Sequence, residues 1–333
     1  MNASDFAIEA EGLVKHFGKT QAVNGVDLRV RAGSVYGVLG PNGAGKTTTV
    51  RMLATLINPD AGHATVLGHD LVRDGAALRR RISLTGQFAS VDEDLTGREN
   101  LMLLAKLLGF KGAAVKQRSD ALLEAFDLTE AAGKQAKTYS GGMRRRLDIA
   151  SSLVVVPDLL FLDEPTTGLD PRSRNQVWDI VRALVADGTT VLLTTQYLEE
   201  ADELADRIAV IDHGKVIAEG TSAELKASVG SGTLHLTVRD AAQREGALAL
   251  LAERLGAAAT PTATDETSLT IPVSDPARAV EALEALRLAG LAPAAFSLGQ
   301  PSLDEVFFAL TGHAAEPQAD AAATKDSKKD KRS

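Results

Sequence analysis

The sequence predicts an α/β fold built on a mostly parallel sheet, followed by a smaller α+β domain. Three observations carry this. Apolar runs ending in glycine-rich or acidic turns alternate with helical segments through the first part of the chain, the β-α-β habit of parallel sheets. The turn at residues 40–47 joins a buried strand to a helix and has the pattern G-x-x-x-x-G-K-T. Beyond Gly230-Ser231-Gly232 the order becomes strand, helix, strand, strand, helix, strand.

The elements follow in order. From residue 6 to about 38 polar and apolar residues alternate, with Val26, Leu28 and Val30 facing one way and Asp27, Arg29 and Arg31 the other. A period of two predicts half-buried antiparallel strands, hence an antiparallel β subdomain at the start. Residues 34–39 form a buried strand that runs into the glycine-rich turn. A helix then spans about 46–57 and is stopped by Asn58-Pro59-Asp60-Ala61-Gly62. Residues 96–155 are mostly helical, a helical subdomain. The apolar run 159–162 ends in Asp163-Glu164-Pro165, as buried parallel strands do. More strands follow at 191–194 and 208–212, with a helical segment at 172–186, so the alternation is β-α-β and a parallel sheet with helices on its faces is expected. Asp212-His213-Gly214 makes a hairpin turn. Thr221 and Glu224 have capping-box spacing for a last helix to about 229.

The first domain is therefore expected at 1–229. A second, at 230–313, has strands at 233–238, 258–263, 268–273 and 294–298 and helices at 241–255 and 276–288. That β-α-β-β-α-β order is ferredoxin-like. The Ala-rich, charged stretch 314–333 reads as a solvated, disordered tail.

Composition closes several chemistries. The 333 residues are 44% hydrophobic and 24% charged, ordinary for a soluble two-domain chain. No run approaches the roughly 18 apolar residues of a spanning helix, and the start lacks signal-peptide character, so a cytoplasmic chain is expected. With no cysteine there is no disulfide framework, thiolate nucleophile or Cys-ligated zinc. The 36 basic and 44 acidic residues leave a net charge of −8, the wrong sign for a protein held by nucleic-acid backbone. Aromatics at 4% leave little for base stacking. None of the six histidines stands at metal-ligand spacing.

Gly40, Pro41, Asn42, Gly43, Ala44, Gly45, Lys46 and Thr47, with Thr48 behind them, are placed to cradle a triphosphate. Glycines let the backbone wrap closely, and the helix start offers free N–H groups and a favourable dipole. Lys46 would reach the β- and γ-phosphates, and the Thr47 hydroxyl would bind Mg²⁺. Such a loop leaves kinases, GTPases, helicases and transport ATPases open. Asp163, at a strand end, is placed to hold Mg²⁺ directly or through water, and Glu164 to act as general base. Alone, these two acids could be an exposed strand terminus; the phosphate loop decides against that.

Between the two sites lies Tyr139-Ser140-Gly141-Gly142-Met143, then Arg144, Arg145 and Arg146 on a helix. Ser-Gly-Gly at a helix start just upstream of an acidic strand end resembles the signature motif of ATP-binding cassette (ABC) ATPases. The resemblance implies that Ser140, Gly141 and Gly142 cradle the γ-phosphate bound by an opposing copy, in a head-to-tail homodimer around ATP. It also implies that Gln87 touches Mg²⁺ and the attacking water, that residues 88–100 face a membrane partner, that Phe17 stacks on adenine, and that Asp170 lines the dimer seam. Gln196 stands where the family usually has a switch histidine, and Met143 where glutamine is common. A glutamine amide can donate to a phosphate but cannot carry a proton's charge. The arginines read as a solvated helix face, Trp178 as core, and Glu199 to Glu203 as a solvated acidic helix start.

The segment Leu303-Asp304-Glu305-Val306-Phe307-Phe308-Ala309-Leu310-Thr311-Gly312, residues 139–150 and Gln196 together resemble the daunorubicin/doxorubicin resistance ATP-binding subunits of ABC-2 type exporters. That implies ATP-driven efflux of a hydrophobic antibiotic or lipid, at the cytoplasmic face of a bacterial membrane, beneath an integral-membrane permease. The competing reading is a soluble ABC ATPase acting on nucleic acid or ribosomes. The acidic balance and the single cassette argue against it.

Overall fold

The structure, a computed structural model, describes residues 5–86, 91–229, 232–256, 260–261, 267–273, 275–299 and 302–312. The chain groups into two compact units divided between Glu219 and Gly220.

In the first unit β1 (Phe6–Phe17) and β2 (Thr20–Arg31) form the expected antiparallel pair, with Ala10 opposite Leu28 and Leu13 opposite Val26. Val26, Leu28 and Val30 are buried and Asp27, Arg29 and Arg31 exposed, as their alternation requires. β3 (Val35–Leu39) leads into α1 (Lys46–Leu53). This helix stops before residue 57, because Thr55 turns into the left-handed region at φ +61°. β4 (Ala61–Val66) and β5 (His69–Asp70) complete a sheet in the order β2-β1-β4-β5.

After α2 (Gly75–Leu78) and β6 (Ile82–Thr85) come the helices α3 (Gly97–Leu107), α4 (Ala113–Ala125) and α5 (Gly141–Ser152). They are followed by β7 (Leu159–Asp163), α6 (Pro171–Ala186), β8 (Thr190–Thr195), α7 (Leu198–Leu204), β9 (Arg207–Asp212) and β10 (Lys215–Gly220). These strands form a sheet in the order β10-β9-β3-β8-β7-β6. Every pair from β9 to β6 is parallel. His213 and Gly214 join β9 to β10 with φ values of +46° and +75°, the two positive angles of a type I′ turn.

The strand β7 shows why its run is continuously apolar. Leu159 and Phe161 pack toward α1 and the antiparallel sheet, while Leu160 and Leu162 pack toward the helices. Register aligns Leu39 with Thr195, Thr194 with Asp163, and Leu162 with Thr85. The carboxyl ends of β3, β8, β7 and β6 therefore finish level, at the edge where open α/β sheets bind ligands.

The second unit holds α8 (Ser222–Val229), β11 (Thr233–Thr237), α9 (Arg244–Leu255), β12 (Thr260–Pro261), β13 (Ser268–Pro272), α10 (Pro276–Leu288), β14 (Ala295–Gly299) and α11 (Leu303–Thr311). Its antiparallel sheet runs β12-β13-β11-β14, in the expected β-α-β-β-α-β order. Leu234, Leu236, Leu269 and Ile271 face Ala247, Leu251, Ala282 and Leu286 of the two helices. Helix α8, assigned above to the first domain, groups with this unit because it packs along α11. Its capping box is present: the Glu224 N–H donates to Thr221 Oγ1 at 3.1 Å and the Thr221 N–H to Glu224 Oε2 at 2.9 Å. Helix α11 was not predicted as an element, although Ser302 and Glu305 form a second capping box at its start. The tail expected at 314–333 lies outside the described residues.

Candidate nucleotide-binding site

The loop from Gly40 to Thr48 is shaped by its glycines. Gly45, just before α1, has φ +105°, and a Cβ there would lie 2.4 Å from the Ala22 carbonyl oxygen. A Cβ on Gly40 would lie 2.2 Å from the Ile211 carbonyl oxygen. Only glycine passes at either point, so the loop lies tight on the backbone of β2 and β9. Pro41, Asn42, Gly43 and Ala44 make the turn between, closed by the Ala44 N–H donating to Pro41 O at 3.2 Å. No side chain caps α1 and its first turn holds no acid. The helix start, with Lys46, Thr47 and Thr48, thus keeps its dipole for an incoming anion.

Lys46 is 4% exposed, and its ammonium donates to Gly40 O at 2.6 Å and Pro41 O at 3.1 Å. Glu164 Oε1 lies 3.6 Å from the same nitrogen. A buried ammonium needs such partners, and a phosphate in the loop would offer it full negative charge in place of carbonyl dipoles. Thr47 Oγ1 donates to Asp163 Oδ1 at 3.1 Å, and Thr194 Oγ1 donates to the same oxygen at 2.5 Å. Thr194 also accepts the Glu164 N–H, at 3.1 Å on its carbonyl and 3.2 Å on its hydroxyl. Four sequence-predicted residues, Lys46, Thr47, Asp163 and Glu164, are thereby brought into one group, with Thr194 as the tie the sequence analysis missed. Its signal was a threonine directly after the apolar run 191–193, in register with Asp163.

Ser140, Gly141 and Gly142 form a second group. Ser140 caps α5, its hydroxyl accepting the Met143 N–H at 3.2 Å. A Cβ on Gly142 would lie 2.3 Å from Ser173 Oγ. Ser173 in turn donates to the Asp170 carboxylate through its N–H at 3.0 Å and its hydroxyl at 2.7 Å, capping α6. Those bonds hold the Asp170 carboxyl below the usual range, the hydroxyl contributing most. The signature glycine and Asp170 are thus linked through one serine.

Phe17 ends β1 half-exposed, with the Lys15 ammonium 5.9 Å from its ring centroid. Gln196 follows β8, and its amide oxygen is buried without a hydrogen-bond partner. Gln87 lies outside the described residues.

Two expectations are overturned. Arg144, Arg145 and Arg146 are not a solvated face: Arg146 donates to Phe126 O at 2.8 Å, and Arg145 donates to Gly86 O at 2.7 Å and Pro165 O at 2.8 Å, just past the ends of β6 and β7. Successive helix positions are about 100° apart, so three in a row cannot share one face. Nor is the whole run from Glu199 to Glu203 solvated, because Glu200 is fully buried. Trp178 Nε1 donates to its Oε1 at 3.4 Å. Burial pushes the Glu200 carboxyl up, against the opposing pull of the Thr195 and Thr166 hydroxyls, the indole and Arg145. Trp178 itself is core, as expected.

The ABC transporter family pattern matches residues 23–167, from within β2 to the loop after β7. With the fold and the two groups above, the chain is an ABC ATPase. It is 59% identical over 322 residues to the daunorubicin/doxorubicin resistance ATP-binding protein DrrA of Streptomyces peucetius, covering 97% of each. It is 39% identical to the Nod factor export ATP-binding protein I of Ralstonia nicotianae, over 92% of this chain and 94% of the other. A solved structure described as an ATP binding subunit of an ABC transporter shares its fold with a TM-score of 0.60, at 27% identity over 67% of this chain and 92% of that one. The chain belongs to the family of daunorubicin/doxorubicin resistance ATP-binding proteins, the ATP-binding side of ABC export systems. Among the described residues no helix is long and apolar enough to cross a membrane.

Proposed function

We propose that the chain hydrolyses ATP with Mg²⁺ to export a hydrophobic antibiotic of the anthracycline kind. It would work as a homodimer on the cytoplasmic face of the bacterial membrane, beneath a separate integral-membrane permease of the ABC-2 type. The observation that carries the reading is the meeting of Lys46, Thr47, Asp163 and Glu164 at the carboxyl edge of the parallel sheet.

Thr47 Oγ1 and Asp163 Oδ1, 3.1 Å apart, are hard oxygen donors of the kind Mg²⁺ takes alongside water and phosphate, so the residues fit that ion. When bound, Mg²⁺ neutralises charge on the phosphate oxygens. Lys46 would leave its loop carbonyls for the β- and γ-phosphates. The Glu164 carboxylate would take the proton of the water attacking the γ-phosphorus, and ADP would leave with the bridging oxygen. Gln87 would help orient that water, and Gln196 would donate its amide to the γ-phosphate. Ser140, Gly141 and Gly142 of one copy would close over the nucleotide of the other, with Asp170 at the seam and Phe17 on the adenine. Two sandwiched nucleotides close the dimer and hydrolysis reopens it.

The drug cargo is supported by the 59% identical relative, whose name records daunorubicin and doxorubicin resistance. Nucleic acid is no part of this reading, given the net charge of −8. Two mutants test the chemistry. Lys46→Ala should abolish tight MgATP binding; Glu164→Gln should keep binding, stop hydrolysis and accumulate an ATP-bound dimer. Hydrolysis at the parent rate by Glu164→Gln would remove the base assignment. For the cargo, inverted vesicles carrying the chain and its permease should take up doxorubicin on adding ATP, and uptake of a Nod factor in its place would overturn that choice.

A further inference from the structure

Arg145, the middle arginine on α5, is used by nothing in the reaction above, yet it reaches the heart of the site. Its side chain is 12% exposed. The guanidinium donates from Nε to Pro165 O at 2.8 Å, from Nη2 to Asp163 O at 3.2 Å, and from Nη1 to Gly86 O at 2.7 Å and Asp148 Oδ2 at 3.1 Å. The Asp163 and Pro165 carbonyls stand one on each side of Glu164. Glu164 has φ +49°, the left-handed region that L residues other than Asn and Asp rarely enter. Its N–H is fastened to Thr194 O at 3.1 Å. The strained residue is therefore held from β8 through its N–H and from α5 through the carbonyls that bracket it. Strain of this kind persists only where the surroundings over-determine it. The charge on Arg145 is met by Asp148 and also feels the buried Glu200.

We propose that Arg145 is a positioning residue for the hydrolytic base, keeping Glu164 in the left-handed turn from which its carboxylate faces Lys46. The inference rests on Glu164 being that base. The guanidinium carries its donors on a wide planar fork and reaches all three carbonyls at once, whereas an ammonium, a compact point charge, does not span them. Replacing Arg145 frees the turn to relax toward an ordinary φ, and the carboxylate moves off its line. Displacing a catalytic group by about 1 Å costs on the order of 100-fold in rate. The phosphate loop, which shares none of these bonds, keeps its affinity for nucleotide.

The experiment uses the full chain with its membrane partner, comparing Arg145→Lys and Arg145→Gln with the parent and with Glu164→Gln. Arg145→Lys keeps the charge opposite Asp148 and Glu200. Emission of Trp178, the single tryptophan, which donates to Glu200 at 3.4 Å, reports whether the surroundings are intact. Expected are kcat lowered by about 100-fold, an unchanged Kd for MgATP, and accumulation of the ATP-bound dimer, as in Glu164→Gln. In a Glu164→Gln background, Arg145→Lys should lower the residual single-turnover rate no further. Parent kcat in Arg145→Lys overturns the proposal, as does loss of nucleotide affinity in step with kcat, or a further loss in the Glu164→Gln background. If Glu164→Gln itself hydrolyses at the parent rate, the base assignment has failed instead, and the two failures are told apart.

Discussion

Replacing Gly142 by alanine puts a methyl group where the start of α5 meets the start of α6. The new Cβ would lie 2.3 Å from Ser173 Oγ and 2.8 Å from Ser173 Cβ. The serine cannot rotate away freely, because its hydroxyl is bonded to Asp170 at 2.7 Å. Overpacking costs about 1–3 kcal/mol, and the hydrogen bond given up if Ser173 yields adds about 1 kcal/mol. The sum of roughly 2–4 kcal/mol should lower the Tm of a unit this size by about 4–16 °C. The emission of Trp178, buried on α6 and the only tryptophan of the chain, reports unfolding of this unit directly. Ser173→Gly removes both offending atoms. Gly142→Ala should therefore cost nothing more in a Ser173→Gly background, giving a coupling of about 2–4 kcal/mol in the double-mutant cycle. Two results would refute the argument: a Gly142→Ala chain within about 0.5 kcal/mol of the parent, or an equal loss with and without Ser173.

Three further outcomes are expected. Phe17→Ala should weaken ATP binding about fivefold or more, the value of one base–aromatic stack, and Phe17→Trp should restore it; equal affinity for all three chains by nucleotide titration would remove the stacking role. Glu200 carries a carboxyl raised by burial above its ordinary 4.5. The folded chain therefore holds that proton more tightly than the unfolded one, and stability is lost as pH rises from 4.5 through the raised value. Urea denaturation across that range should show Glu200→Gln gaining on the parent as pH increases, and a difference independent of pH would contradict it. The parent kcat profile should show no inflection from residue 196, whereas Gln196→His should create one near about pH 6.5 or displaced from it; identical profiles would remove the role given to that side chain.

Much of the site was legible before folding. The phosphate loop and the acidic strand end are continuous in sequence, and their chemistry depends on local geometry: a glycine turn, a helix start, a strand terminus. Alternation in β2 and the apolar run of β7 likewise carry their own periods, so strand faces followed from residue order. Capping boxes at Thr221 and Ser302 are local too, although the second was not used to place α11. Misjudgements fell where a side chain's fate depends on what arrives from far along the chain. Arg145 looked like its neighbours until the ends of β6 and β7 were laid against α5, bringing the carbonyls of Gly86, Asp163 and Pro165 within its reach. Glu200 looked like Glu199 until Trp178 and Thr195 enclosed it. Helix α8 seemed to close the first domain because it follows it in sequence, yet it packs along α11.

From residue order alone came the glycine-rich turn before a helix and the acidic strand end, short-range patterns whose physics is local, while the class of protein came from the resemblance of Ser140-Gly141-Gly142 to a family motif. Folding in three dimensions decided that Thr194 ties the two acids, that one arginine of three binds the carbonyls on either side of Glu164, and that Gly142 has no room for a methyl. Those facts follow from parallel register and helix packing, which bring together groups far apart along the chain, such as the Thr47 and Asp163 side chains, 116 positions apart.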